Sequence, residues 1–201
     1  MQDSTKKLLT TRNIAKIAIL SAIAFILMLI EFPLPFAPSF YKMDFSEVAV
    51  LMGGFAMGPW AAVVIEALKI VLHLLFKGTI TMGVGELANF LIGCALCMPA
   101  AWIYKKHKSR SSAIKGMAVG TLCMTVAGVL LNIFVLIPAY VAFANFPLDA
   151  IIGMGTQIFP AIHDVVTLAL ICVVPFNLLK GIVVGVITTL LYKHVSPLLH
   201  R

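Results

Sequence analysis

Apolar residues run along this chain in long blocks, broken by short polar stretches and by segments bearing glycine and proline. Four blocks, at about 14–32, 85–104, 113–141 and 165–193, read directly as membrane-crossing helices. Each holds the roughly 18 or more mostly apolar residues that a ~30 Å hydrocarbon core requires. The block 45–77 is different. As one straight helix it would run about 50 Å at about 1.5 Å per residue, well past that core. It contains "GGFAMGPW", and Gly58-Pro59 is a strong break. Proline disfavours helix in the residue before it and suits the first turn of a helix that follows. The pattern therefore predicts two helices there, near 45–57 and 59–77, the first of them short, and six helices in all.

Composition supports a membrane protein. Of 201 residues, 61% are hydrophobic and 11% charged, with mean hydropathy +1.06. A soluble domain has about half apolar and a quarter charged residues. The net charge of +7 would suggest a nucleic-acid partner in a soluble chain. Here the basic residues gather beside apolar blocks, at the N-terminus, in "YKKHKSRSSAIK" (104–115) and in "YKHVSPLLHR" (192–201). That is the orientation signal of a membrane protein and argues against nucleic acid. Six helices place all three basic segments on the cytoplasmic side, whereas five would split them. Lys6, Lys7, Arg12 and Lys16 before an apolar run imitate a signal peptide, but "EFPLPFAP" offers no small-residue cleavage site. The expectation is one all-α domain over 1–201: a polytopic membrane protein, a bundle of six transmembrane helices with both termini cytoplasmic, opening with a short basic segment, 1–13.

This topology puts 33–44, 78–84 and about 142–164 outside. The first is rich in aromatics and prolines and ends in "YKMD"; the second carries three glycines and two threonines between Lys77 and Glu86; the third has room for a short interfacial helix. Aromatic residues at that level form either an interfacial belt or a lid over an outward-opening pocket.

Polar residues within the apolar blocks carry the candidate chemistry. In "VVPFNLLKG", Lys180 follows 15 uncharged residues and precedes 12 more. Ionisable groups there are costly and usually face a cavity; a structural ion pair or a lysine reaching for the interface is the alternative. Asn177 lies three residues away on the same helical face, and Pro175 removes a backbone donor nearby. Asn132 sits in an uncharged run of 33 residues, Gly116–Leu148, where an interhelical hydrogen bond would also account for it. Glu66, Lys69, His73 and Lys77 form a polar stripe at spacings of three and four. A structural Glu66–Lys69 pair is the preferred reading and a proton relay the rival. Glu86 and Asn89 open another helix, where an acidic residue also complements the helix dipole. Cys94 and Cys97 form C-x-x-C in an apolar helix rather than a loop, and read as packing residues. No metal site, phosphate-binding loop or hydrolase motif is found, so no catalytic residue is assigned; binding or transport is favoured over an enzyme.

With these residues in view, the chain resembles the substrate-binding (S) components of energy-coupling factor (ECF) vitamin transporters, specifically the riboflavin-specific kind. The resemblance spans nearly the whole chain. It rests on "YKMDFSEVAVLMGGFAMGP", "GVGELANFLIG", "PFNLLKG" with "YKHVSP" downstream, and Ala18-x-x-x-Ala22 in the first helix. It implies a six-helix subunit of the bacterial plasma membrane that takes riboflavin from outside as transported ligand, with no cofactor. It also implies association with a membrane coupling subunit and two cytoplasmic ABC-type ATPases, and toppling in the bilayer to release the vitamin inside. Ala18 and Ala22 would pack on the coupling subunit. Asn132, Asn177 and Lys180 would hold the polar edge of the isoalloxazine ring. Tyr41, Lys42, Thr81 and Glu86, placed in the outer connections, are candidates for the ribityl chain. A proton-coupled secondary transporter using Glu66, Lys69 and His73 is the alternative.

Overall fold

In the computed structural model the chain is a helical bundle, described over residues 10–79, 81–143 and 147–200 with side chains through Tyr192. The basic residues Lys6 and Lys7 and the side chains of the basic tail past Tyr192 lie outside the described residues. Helix α1 (Thr11–Leu29) leads to a short antiparallel hairpin, β1 (Phe32–Pro33) and β2 (Lys42–Met43), with Phe32 opposite Met43. Then come α2 (Ser46–Met57), α3 (Pro59–Lys77) and α4 (Val84–Lys106). Helix α5 (Arg110–Leu131) continues through a π turn (Asn132–Leu136) into α6 (Ile137–Phe143). After α7 (Leu148–Thr156), helix α8 (Val165–Leu168) continues through a second π turn (Ala169–Val173) into α9 (Val174–His200).

The break expected at Gly58-Pro59 is present. Gly58 has φ +101°, a region open to a residue without Cβ, and Pro59 takes the first position of α3. The first helix stops at Leu29, short of the expected 32, because the chain turns into the hairpin and Pro33 disfavours helix at Phe32. The short helix expected within 142–164 is present as α7. Among the described residues five helical stretches are long and apolar enough to cross a membrane: Thr11–Leu29, Pro59–Lys77, Val84–Lys106, Arg110–Phe143 and Val165–Tyr192. Ser46–Met57 is a shorter apolar helix.

Short α2 sits at the centre of the bundle. Every residue from Ser46 to Phe55 is buried, and the helix packs against α1, α3, α4 and α9. A helix that is apolar all round belongs inside other helices. Helices α4 and α5 approach almost to backbone contact. A Cβ on Gly116 would stand 2.6 Å from the Ala100 carbonyl oxygen, and one on Gly120 2.3 Å from that of Leu96. This is the small-residue packing that membrane helices use in place of a hydrophobic driving force.

Two apolar clusters result. One joins Leu20, Leu51, Ile65, Leu96, Met124 and Val184 from the helical bundle. The other joins Met43, Ile137, Ile151, Ile162, Leu168 and Phe176, so the hairpin segment and the α7 segment fold onto helix ends. The π turns lie at this second level. Ile137 N–H bonds to the Asn132 carbonyl and Val174 N–H to that of Ala169. Each wide turn directly precedes a proline, Pro138 or Pro175, whose missing N–H and bulky ring unsettle the regular ladder. Single π turns inside α-helices recur at functional sites.

Candidate functional site

Asn132, at the start of the first π turn, and Asn177, in α9 past the second, both lie against one glycine. Asn132, 2% exposed, donates through Nδ2 to the Gly128 carbonyl at 2.7 Å. Asn177, 3% exposed, lies across the helix interface against the same residue, where a Cβ on Gly128 would stand 2.4 Å from Asn177 Nδ2. Gly128 is therefore the shared floor of both amides. Above it, the Tyr41 hydroxyl donates to Asn132 Oδ1 at 2.5 Å. The Tyr41 ring lies 5.8 Å from Phe176 and 4.4 Å from Phe40, and Phe40 in turn meets Tyr140 at 6.3 Å. The connection between α1 and α2 thus covers the asparagines with an aromatic group.

One helical turn past Asn177, Lys180 enters a buried ionic cluster. Its Nζ donates to Asp44 Oδ2 at 2.9 Å and stands 3.1 Å from Glu47 Oε2. Asp44 is fixed in turn: its Oδ1 accepts from Ser46 N–H at 2.8 Å and from the Ser46 hydroxyl at 2.5 Å. The other oxygen of Glu47 faces Lys69 at 3.3 Å. Lys69 also donates to Ser46 Oγ at 3.0 Å and Asn89 Oδ1 at 3.5 Å. Glu66 Oε1 stands 2.6 Å from Lys69 Nζ as an ion pair whose angle departs from that of a hydrogen bond. The expected Glu66–Lys69 pair is real and fully enclosed. Gly93 makes room for it, since a Cβ there would come within 2.3 Å of Glu66 Oε1. His73 is buried, and neither ring nitrogen has a hydrogen-bond partner among the described residues.

The other sequence candidates occupy the outer connections. Lys42 pairs with Glu31 at 2.6 Å, and Lys77 joins the same carboxylate at 2.5 Å. Partial burial pushes the Glu31 carboxyl up, but hydrogen bonds from both lysines outweigh this and hold it below the usual range. Lys42 therefore ties the hairpin to the ends of α1 and α3. Thr81 donates to Glu86 Oε2 at 3.1 Å, as Thr79 does at 2.9 Å. This group adjoins the aromatic cover: a Cβ on Gly85 would stand 3.3 Å from the Tyr140 hydroxyl. Tyr41, Asn132 and Asn177 are thus in one place, Lys180 is one turn away, and Thr81 and Glu86 stand beside Tyr140. Asp44 and Glu47, absent from the sequence candidates, supply the carboxylates that meet Lys180, and Ser46 holds Asp44 in place. Among the described residues no group of three or more His, Cys, Asp or Glu side chains is placed to hold a metal, and Cys94, Cys97, Cys123 and Cys172 are free.

Ala18 and Ala22 are exposed on one face of α1, with Ile19, Ile23 and Ile26 also uncovered. An apolar bundle with five helical stretches long enough to cross a membrane among the described residues has the architecture of a multi-pass membrane protein. The chain belongs to the family of ECF transporter substrate-specific components, whose model matches residues 12–192. It is similar to the riboflavin transporter FmnP of Bacillus subtilis (strain 168), 32% identical over 92% of this chain and 93% of that one. It is also similar to the riboflavin transporter RibU of Staphylococcus aureus (strain TCH60), 35% identical over 94% of this chain and 93% of that one. A solved structure described as the S component of a bacterial ECF transporter aligns with TM-score 0.72 at 36% identity, covering 94% of this chain and 97% of the other.

Proposed function

We propose that this S component binds riboflavin from outside the cell membrane, through Asn132, Asn177 and Lys180. The observation that carries the reading is the meeting of two buried amides over Gly128, one turn from a buried ammonium and beneath an aromatic cover. The pyrimidine edge of a flavin alternates carbonyl acceptors with an N–H donor. An amide answers both kinds, and an ammonium answers the carbonyls. In this reading the ring N–H takes the place of the Tyr41 hydroxyl on Asn132 Oδ1. Phe40, Tyr41 and Phe176 offer apolar and aromatic surface to the ring system. Thr81 and Glu86, beside Tyr140, and Lys42 in the hairpin are the hydrogen-bonding groups proposed for the ribityl hydroxyls.

The membrane arrangement follows from the same reading. Six crossings with both termini cytoplasmic place the basic 104–115 connection inside and the roofed site outside. Helix α2, about 18 Å long at about 1.5 Å per residue, spans with help from the segment before it. Irregular backbone at that depth is tolerated because it is buried in protein. Transport then requires a membrane coupling subunit and two cytoplasmic ATPases, and the exposed Ala18/Ala22 face of α1 is the proposed seat for the coupling subunit. A proton-coupled carrier would need a connected relay, and His73 has no hydrogen bond to Lys69 or Glu66 on the described side chains.

Two experiments test this. The purified chain should quench riboflavin fluorescence saturably without ATP or metal; a preparation that is colourless and fails to quench overturns the reading. Replacing Ala18 and Ala22 with bulky residues should abolish uptake in cells while leaving riboflavin affinity unchanged, since close helix approach needs small side chains. Loss of binding together with uptake would assign the alanines to the fold instead.

A further inference from the structure

Lys180 reaches its position from α9, but what holds its ammonium there comes from the first outer connection. Asp44 lies 136 residues away in sequence, between β2 and α2. Its two oxygens have separate tasks: Oδ1 takes the N–H and hydroxyl of Ser46, which locks the carboxylate, and Oδ2 faces Lys180. Asp44 is 3% exposed and Lys180 7%. Glu47 adds charge from the next turn at 3.1 Å, but it is shared with Lys69. An ammonium has three donors, so the Asp44 bond and the Glu47 contact leave at least one for a ligand. The same stretch of chain carries Tyr41, which holds Asn132. Residues 41–44 therefore grip two of the three proposed flavin-edge residues, one from α9 and one from the π turn after α5.

We propose that Asp44 is a positioning residue for the vitamin: it fixes the Lys180 ammonium so that a remaining N–H meets the ligand's polar edge. The proposal rests on the riboflavin reading above. Asp44 touches Lys180 and acts only through it. Without Asp44 the long, flexible lysine stem would have only the shared Glu47 to restrain it, and the ordering of the ammonium would have to be supplied when the ligand binds.

A double-mutant cycle on riboflavin affinity, read by fluorescence quenching in purified protein, separates this from a role in folding alone. Asp44→Asn keeps the shape and the bonds with Ser46 but removes the charge. It should weaken binding about tenfold in the wild-type background, by loss of roughly one charge-assisted hydrogen bond. In a Lys180→Met background, where nothing remains to be positioned, the same change should alter affinity less than about twofold. It should also raise the thermal unfolding temperature of that background, because Lys180→Met alone leaves a buried carboxylate unpaired. Should Lys180→Met not yield folded protein, Lys180→Gln serves as the background. Equal weakening by Asp44→Asn in both backgrounds overturns the proposal, as does wild-type affinity in Asp44→Asn. A gain in affinity, the result if Asp44 competes with the ligand for the ammonium, overturns it too. Wild-type protein that does not quench riboflavin overturns the function itself, which distinguishes that failure from this one.

Discussion

Two lysines, Lys69 and Lys180, are buried among the described residues, and their surroundings differ in one respect. Lys69 is saturated: Ser46, Glu47 and Asn89 meet its three N–H groups, and Glu66 stands against it as an ion pair at 2.6 Å. Lys180 has one hydrogen bond, to Asp44, and one ionic contact, to Glu47. Both side chains bear the desolvation cost of a charge in a membrane protein. For Lys69 the protein supplies the whole compensation, which marks a structural tie between α2, α3 and α4. For Lys180 two carboxylates answer the charge but leave an N–H without an acceptor among the described residues, and the residue lies one turn from two amides under an aromatic roof. A donor that the fold leaves open is the one a ligand can use.

The largest expected effect comes from the saturated side. Lys69→Met strands Glu66 in the interior and leaves Glu47 with Lys180 alone, and breaking a buried pair by removing one partner costs about 3–5 kcal/mol. Thermal unfolding in detergent should show a large loss of stability or no folded protein. A folded variant with near-normal unfolding temperature would show that the Lys69 cluster does not hold the helices. The two glycines sharpen the comparison at smaller scale. Gly93→Ala pushes a methyl into Glu66, and Gly128→Ala pushes one into the Asn177 amide. Crowding a packed site costs about 1–3 kcal/mol, so Gly93→Ala should lower the unfolding temperature while riboflavin affinity in the folded fraction stays near normal. Gly128→Ala should instead weaken riboflavin by about three- to tenfold, as the amide shifts from the ligand edge. Equal effects of the two glycine changes on affinity would erase the distinction between the regions.

Much of the architecture was legible because its signals are local. Gly58-Pro59 marks the division of the 45–77 block through backbone rules alone, and α7 lies where the outer connection had room for a helix. Asn132, Asn177 and Lys180 stood out because polar residues in long apolar runs are costly wherever they point. What the sequence hid is tertiary. Prolines 138 and 175 announce a disturbance, but not that an extra residue is absorbed in a π turn before each. The Asp44–Lys180 pair joins residues 136 apart, which no periodicity reports. One available signal was the scarcity of carboxylates: with eight acidic residues in the chain, a lysine that must be paired has few candidates, and Asp44 and Glu47 flank the start of the most apolar short helix. Lys42 shows the same limit. Its position among the aromatics of 33–44 suggested a ligand contact, and the structure adds a tie to Glu31, shared with Lys77, that no spacing reports. Lys180 also alters what its own removal does: a paired lysine stabilises its carboxylates, so deleting the charge brings no relief of desolvation.

The most direct test of the account is the riboflavin dissociation constant of Lys180→Met, measured beside the wild type by fluorescence quenching on protein shown to be folded. Methionine keeps a long flexible stem and removes the donors. Leaving a carbonyl of the bound ring without its charged partner should cost roughly 1.5–3 kcal/mol, which raises the dissociation constant at least about tenfold at about 1.4 kcal/mol per decade. Near-wild-type affinity in folded Lys180→Met would contradict the account and leave this lysine, like Lys69, a purely structural charge.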